Sequence, residues 1–247
     1  MIRLEGVTKR FGALAAVNDL SLEILPGEIF GCLGPNGAGK TTTIKLCTGL
    51  LAPSAGRILI GGVDLAAEPE RAKRLIGLVP DTPVVYPKLT GREFLSLVGD
   101  LYGVPPEAQA RRIPDLLARF ELEEHADELT EGYSRGMLQK LVVCAAVLHE
   151  PRALFLDEPI VGLDPRAART LKDLLQDLAK SGVAIFLSTH ILEIAEQLCT
   201  RVAILQRGRV IAGGTPEEIR QRAGGAGGAD RGLEAAFLDI TESGGVG

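Results

Sequence analysis

The 247-residue sequence predicts an α/β fold with a mainly parallel sheet and an inserted helical subdomain. Short apolar or β-branched runs alternate with longer helical patterns, the signature of parallel strands joined by helices. The runs ALFLD (153–157) and VAIFLS (183–188) are apolar at every alternate position on both faces, as expected of central strands covered on two sides. Between about Leu89 and Glu150 strand signals vanish, and helical patterns at 90–102, 107–120 and 134–149 take their place.

In chain order, the predicted strands are Ile2–Val7, Ser21–Leu25, Ile29–Leu33, Arg57–Ile60, Ile76–Val79, Ala153–Asp157, Val183–Ser188 and Val202–Gln206. A helix follows Gly39. Another spans 165–181, with Asp164 as N-cap, Pro165 in the first turn, an apolar face of Leu171, Leu174, Leu175 and Leu178, and Gly182 as its stop. The segment AGGAGGA (223–229) is too rich in glycine to order itself and reads as a linker. LEAAFLDI (233–240) beyond it reads as a short docked helix. The expected domains are 1–222, with a helical insertion at about 89–150, a linker at 223–232 and a tail at 233–247.

Composition narrows the function. A net charge of −5, with no run of five basic residues, argues against a nucleic-acid partner. MIRLEGVTKRFG lacks the apolar core of a signal peptide, and no apolar run approaches the ~18 residues that cross a bilayer. The expected location is therefore cytoplasmic. Cys32, Cys47, Cys144 and Cys199 lie in apolar stretches without metal-ligand spacing and read as free buried thiols.

The chemistry begins at GPNGAGKT (34–41), which satisfies the phosphate-loop pattern G-x-x-x-x-G-K-[ST]. Gly34, Pro35, Asn36, Gly37, Ala38 and Gly39 form the loop, whose backbone N–H groups turn inward around phosphate oxygens. Lys40 brings a positive charge to the β- and γ-phosphates, and the Thr41 hydroxyl, followed by Thr42, suits magnesium. A strand before the loop and a helix after it aim the helix dipole at the anion. The reading is a phosphate-loop site for a nucleoside triphosphate and Mg2+. ALFLDE (153–158) then sets Asp157 and Glu158 at the carboxyl end of a buried strand, as a magnesium ligand and a polariser of water. Alone, such a pair also fits a solvated strand end.

The order of these motifs, with four more, resembles the nucleotide-binding subunits of ATP-binding-cassette transporters over about residues 2–218. PIVGLDP (159–165) resembles the family loop that runs between two ATP sites. STH (188–190) resembles its switch histidine, which implies His190 near the γ-phosphate. Phe11 in TKRFG matches the aromatic that stacks on adenine. YSRGMLQKL (133–141) matches the signature usually written LSGGQ, so Ser134 and Gly136 are implied to touch the γ-phosphate held by a second subunit. Each is weak alone: Phe11 also fits a core position, and His190 a capping one. The resemblance also implies an N-terminal antiparallel β part.

Two departures stand out. The signature here reads Tyr133-Ser134-Arg135-Gly136-Met137, and Asp81 in IGLVPD replaces a glutamine that links the ATP site to the transporter. Asp81 keeps an oxygen ligand for magnesium on a shorter arm. With the tail LEAAFLDIT (233–241), these departures look most like the exporter branch, in which a cassette subunit serves a separate permease. The resemblance thus implies an ATPase powering a membrane permease, working as a dimer, a homodimer included, and lying at the inner face of the membrane through that permease. Two other readings compete. A non-transport cassette ATPase is disfavoured because only 116 residues separate Lys40 from Asp157, without the heptads of a coiled coil. A regulatory module that binds ATP without cleaving it is disfavoured by the presence of Glu158 and His190.

Overall fold

The computed structural model describes residues 1–223 and 232–243. Two sheets and a helical layer share them. The first sheet is antiparallel, in the order β2-β1-β4-β5, from β1 (Ile2–Phe11), β2 (Leu14–Ile24), β4 (Ala55–Ile60) and β5 (Val63–Asp64). The second runs β10-β9-β3-β8-β7-β6, from β3 (Ile29–Leu33), β6 (Ile76–Val79), β7 (Ala153–Asp157), β8 (Ala184–Thr189), β9 (Arg201–Gln206) and β10 (Arg209–Gly214). Within it, β9, β3, β8, β7 and β6 are parallel and β10 closes one edge antiparallel. This is the expected mixed α/β architecture with an antiparallel N-terminal part.

The alternation of side chains divides the interior in two. From β3, β7 and β8, Phe30, Phe155 and Phe186 point toward the antiparallel sheet and form an aromatic ladder with centroids 5.8 and 5.9 Å apart. Their neighbours Ile29, Leu33, Leu154, Leu156, Ile185 and Leu187 point to the other face, against the helices. Central strands buried on both faces follow directly from that apolar run. At roughly 1.5–3 kcal/mol per buried large side chain, this layer anchors everything attached to it.

Helices α1 (Lys40–Cys47) and α2 (Pro69–Lys73) lie between strands of the core. The helical layer comprises α3 (Gly91–Tyr102), α4 (Pro106–Arg119) and α5 (Arg135–Val147), inserted between β6 and β7. Thr90 and Glu93 close a reciprocal capping box at the start of α3. Phe94, Leu95, Ile113, Leu117, Phe120 and Leu141 bury the faces that meet. Helix α6 (Pro165–Lys180) forms as read: the Asp164 carboxylate accepts from Arg166 N and Ala167 N, and Gly182 follows it at φ 95°. Helices α7 (Leu192–Leu198), α8 (Pro216–Ala223) and α9 (Leu233–Ser243) complete the described chain. Leu233 and Ala236 of α9 are buried in the main core, and Gln206 donates to Thr241 O at 2.9 Å. The glycine-rich segment read as a linker lies almost wholly outside the described residues.

The structure lengthens the first hairpin beyond the sequence expectation. Strands β1 and β2 reach residues 11 and 14, but their pairing slips at Leu4/Val7, Val7/Lys9 and Lys9/Arg10. Such bulges break the alternation that would announce the strands.

One half-buried base sits where the helical layer meets the sheet. His149 stacks on Tyr102 with centroids 3.7 Å apart, and its Nε2 lies 3.0 Å from Ile76 O. Its Nδ1 is buried without a partner. Burial, aided by Arg112, pulls the imidazole from 6.5 down to about 4, against the hydrogen bond to Ile76. Arg112 also pairs with Glu150 at 2.6 Å. The folded chain thus resists a proton that the unfolded chain accepts. His149 costs nothing above pH 6.5, and stability falls as pH drops from there toward 4. Between pH 7 and 5 the loss is about 1 kcal/mol, discounted for the partly exposed ring. Urea melts at both pH values should show a smaller acid loss in His149→Phe than in wild type; equal losses would refute this assignment.

Candidate nucleotide site

Five parallel strands end at one edge of the sheet, and each delivers residues there. The phosphate loop follows β3, and Lys40 is buried at the start of α1. Lys40 Nζ donates to Gly34 O at 2.6 Å and to Pro35 O at 3.3 Å, so its charge is held inside the loop. Gly39 lies at φ 110°, and a Cβ there would stand 2.5 Å from Ala16 O. Only glycine fits so close to the neighbouring backbone. Beneath the loop, burial pushes the Cys32 thiol up to about 12 despite the pull of Lys40, leaving it neutral. All four cysteines are free and buried.

Asp157 and Glu158 come from the end of β7. Asp157 is buried, and its carboxylate accepts a hydrogen bond from Ser188 Oγ, its direct pair on β8. Glu158 occupies the left-handed region at φ 50°, which a non-glycine residue adopts at a cost of about 1 kcal/mol. Its N–H donates to Ser188 O at 3.1 Å, which fixes the turn. One carboxylate oxygen, Oε1, stands 2.9 Å from Nδ1 of His190, just past β8. The other, Oε2, is buried with no partner. A buried carboxylate oxygen left unpaired beside a cleft is an acceptor waiting for a donor.

Asp157 and Glu158 line a cleft of about 640 Å³, within the range of small-molecule sites; His190 is not in its lining and meets it through Glu158. Phe11, Asn36–Thr42, Asp81, Asp157 and Glu158 all border it. Gly34 and Pro35 lie behind, as the acceptors for Lys40. Phe11 is 49% exposed, so the core reading of it fails; Lys9 Nζ sits 5.3 Å from its ring centroid. Asp81 is exposed, and its Oδ1 accepts from Thr82 N at 2.8 Å. The structure adds Leu14, Ala15, Ala16 and Arg207 to the lining, none of them found in the sequence.

Ser134 and Gly136 are not brought to this cleft. Ser134 caps α5 by accepting from Met137 N at 3.3 Å, and a Cβ on Gly136 would lie 3.3 Å from Gly162 O. Gln139 binds the same loop, donating to Pro159 O at 3.2 Å. Tyr133 is buried, and its hydroxyl donates to His125 O at 2.6 Å. The lead-in to this segment is strapped to the loop after Asp81. Thr130 Oγ1 donates to Tyr86 O at 2.8 Å, Thr130 N to Leu89 O at 2.9 Å, and Lys88 pairs with Glu131 at 2.6 Å. Val84 and Tyr86 are 74% and 59% exposed, while Val85 packs on the core.

Among the described residues no group of three His, Cys, Asp or Glu could hold a metal alone. Thr41, Asp157 and Asp81 together offer a hydroxyl and two carboxylates. That set fits a magnesium ion that shares its coordination with phosphates and water. No helix among the described residues is long and apolar enough to cross a membrane.

Residues 17–161 match the family model described as ABC transporter. The chain is 37% identical over 219 residues to the Nod factor export ATP-binding protein I of Ralstonia nicotianae, covering 89% of this chain and 68% of that one. A solved ATP-binding subunit of an ABC transporter superposes with a TM-score of 0.92 at 36% identity, covering 98% of this chain and 99% of the other. The dimeric post-hydrolysis structure of the ATP-binding cassette MJ0796, bound to ADP and Pi, superposes at 0.80 with 25% identity, covering 87% and 98%.

Proposed function

Since the chain belongs to the ATP-binding subunits of ABC transporters, of the exporter type, we infer that it hydrolyses ATP to power a partner permease. The observation that carries the reading is the convergence of the phosphate loop, buried Asp157 and Glu158 on one cleft, with His190 behind Glu158 as its partner. Neither alternative reading, a non-transport ATPase or a regulatory module, is favoured by any feature of the site.

The geometry supports the following roles. Phe11 offers a ring face for the adenine, beside a lysine that polarises it. Loop residues Gly34 to Gly39, with Thr42, cradle the phosphates, and Lys40 balances the charge of the outer two. Thr41, Asp157 and Asp81 would hold Mg2+, which supplies neutralisation of phosphate charge when bound. Glu158, with one oxygen committed to His190, uses its unpaired oxygen to accept a proton from the attacking water. His190 keeps that carboxylate aimed and reaches the terminal phosphate.

Ser134 and Gly136, turned from their own cleft, serve the phosphate held by a second copy. A two-fold dimer satisfies both sites at once. The permease places the chain at the inner face of the membrane. Its docking surface on this chain is the exposed loop Asp81–Leu89, strapped to the segment before Ser134.

Three measurements test this. Lys40→Ala should weaken ATP binding roughly 10- to 100-fold, the value of a charge-assisted contact; a wild-type titration curve would remove the phosphate-loop role. Glu158→Gln should keep ATP binding and slow hydrolysis by roughly 10²–10⁴. It should also elute as an ATP-bound dimer in size exclusion, and unchanged turnover would place the base elsewhere. At the docking loop, Tyr86→Ala should lower the melting temperature only slightly, since the ring is 59% exposed and gives up one aromatic contact, with Phe94 at 6.4 Å. It should reduce co-purification with the permease, and Asp81→Ala should reduce stimulation of hydrolysis by it. A large stability loss in the first with normal stimulation in the second would end the docking-loop reading.

A further inference from the structure

The turn between β9 and β10 carries an arginine that the turn itself disfavours. Gln206 pairs with Arg209, so Arg207 and Gly208 form a two-residue hairpin loop. Both have positive φ, 48° and 75°. Such loops favour Asn-Gly, because the first position is strained for residues without a short polar side chain. Gly208 is compelled to be glycine, since a Cβ would stand 2.7 Å from Ala16 O. Arg207 is under no such packing demand, being exposed. Strain retained at a cleft is a pointer to function.

The turn is also fastened to the phosphate loop. Gly208 N donates to Ala38 O at 2.9 Å, and Gly208 O accepts from Asn18 N at 2.8 Å. The guanidinium of Arg209 is engaged by the Asn18 amide oxygen at 3.1 and 2.9 Å once that amide is oriented to meet it. Arg207 has no ion-pair partner among the described residues, and its side chain lines the cleft with Phe11 and the loop. Strand order gives it a place along the ligand. β9 lies on one side of β3, whereas β8 and β7, which deliver His190 and Glu158, lie on the other. A nucleotide with its last phosphate at Glu158 and its base at Phe11 therefore passes Arg207 near the phosphate closest to the ribose.

We propose that Arg207 is a nucleotide-binding residue whose guanidinium meets the first phosphate of the bound nucleoside triphosphate. The assignment rests on the nucleotide reading of the cleft. Because the contacted phosphate is common to tri- and diphosphates and independent of the base, its loss has a distinct signature.

Equilibrium titrations of ATP, ADP and GTP against wild type, Arg207→Asn and Arg207→Lys test it, with melting temperatures taken without nucleotide. Arg207→Asn should bind all three about 5- to 30-fold more weakly, by a common factor. Its melting temperature should hold or rise, since Asn suits the turn. Arg207→Lys should recover most of the affinity. Unchanged affinity in Arg207→Asn would overturn the proposal. So would a loss confined to ATP, which would move the contact to the last phosphate, or a loss greater for ATP than GTP, which would move it to the base. A lowered melting temperature with no recovery by lysine would make the residue structural. Failure of wild type to bind any nucleotide would instead overturn the reading of the cleft, and this assignment with it.

Discussion

Parallel pairing in register is the constraint on which the site depends. Leu33 pairs with Thr189 on one side and Ile204 on the other, Asp157 with Ser188, and Val79 with Leu156. Four neighbouring strands beside β3 thus stop at nearly the same level, and the chain beyond each must turn at the same edge. The residues that follow, Asp81, Glu158, His190 and Arg207, come from positions 81 to 207 yet border one cleft or bond to its lining. The register is held by the two-sided core rather than by the cleft. A phosphate loop placed after any edge strand would have had half these neighbours.

Rigid support lets polar groups sit in costly positions. Asp157 is a buried carboxylate with a serine donor, and Glu158 holds a left-handed backbone with one oxygen unpaired. Together they forfeit a few kcal/mol, on the order of 1–3 kcal/mol for each such defect. The Phe30–Phe186–Phe155 ladder beneath them offsets this locally, because rings from the same three strands cannot shift independently. A site assembled on loops would relax to pair Glu158 Oε2 and lose its acceptor. Arg207 and Gly208 extend the same logic to a turn, where bonds to Ala38 and Asn18 hold the geometry open.

What the sequence revealed tracks how local each feature is. The phosphate loop is contiguous, and its glycines, lysine and threonine are legible at once. The strands of the parallel sheet were legible because burial on both faces leaves unbroken apolar runs. Strand β10 and the far ends of β1 and β2 were not, since their residues are half exposed and bulged. Helix α7, of seven residues, is too short for a period to emerge. Arg207 could not be found from sequence because its place in the cleft arises from the pairing of β9 with β3, a non-local fact. The dipeptide RG at 207–208 would have announced a hairpin turn only to a reader who already had both strands.

The helical layer puts a second demand on the sequence, and the two departures in its motifs fall where that demand acts. Tyr133 fills a space that reaches Gly91 at the start of α3: a Cβ on Gly91 would meet its hydroxyl at 2.4 Å. Its hydroxyl also fastens the segment before Ser134 to His125. Arg135 lies along Gly162, so the altered signature packs onto the loop after Glu158 within the same chain. At the other end, Thr130 and Glu131 tie that segment to Tyr86, Pro87 and Leu89. Three backbone-directed bonds and one ion pair therefore join the exposed loop after Asp81 to Thr130 and Glu131, just before Ser134. Each bond has a fixed partner, so the loop is held against Thr130 and Glu131, a few residues before Ser134. On the proposed reading, the surface that meets the permease is thereby tied directly to the segment that leads into the surface that meets the second copy.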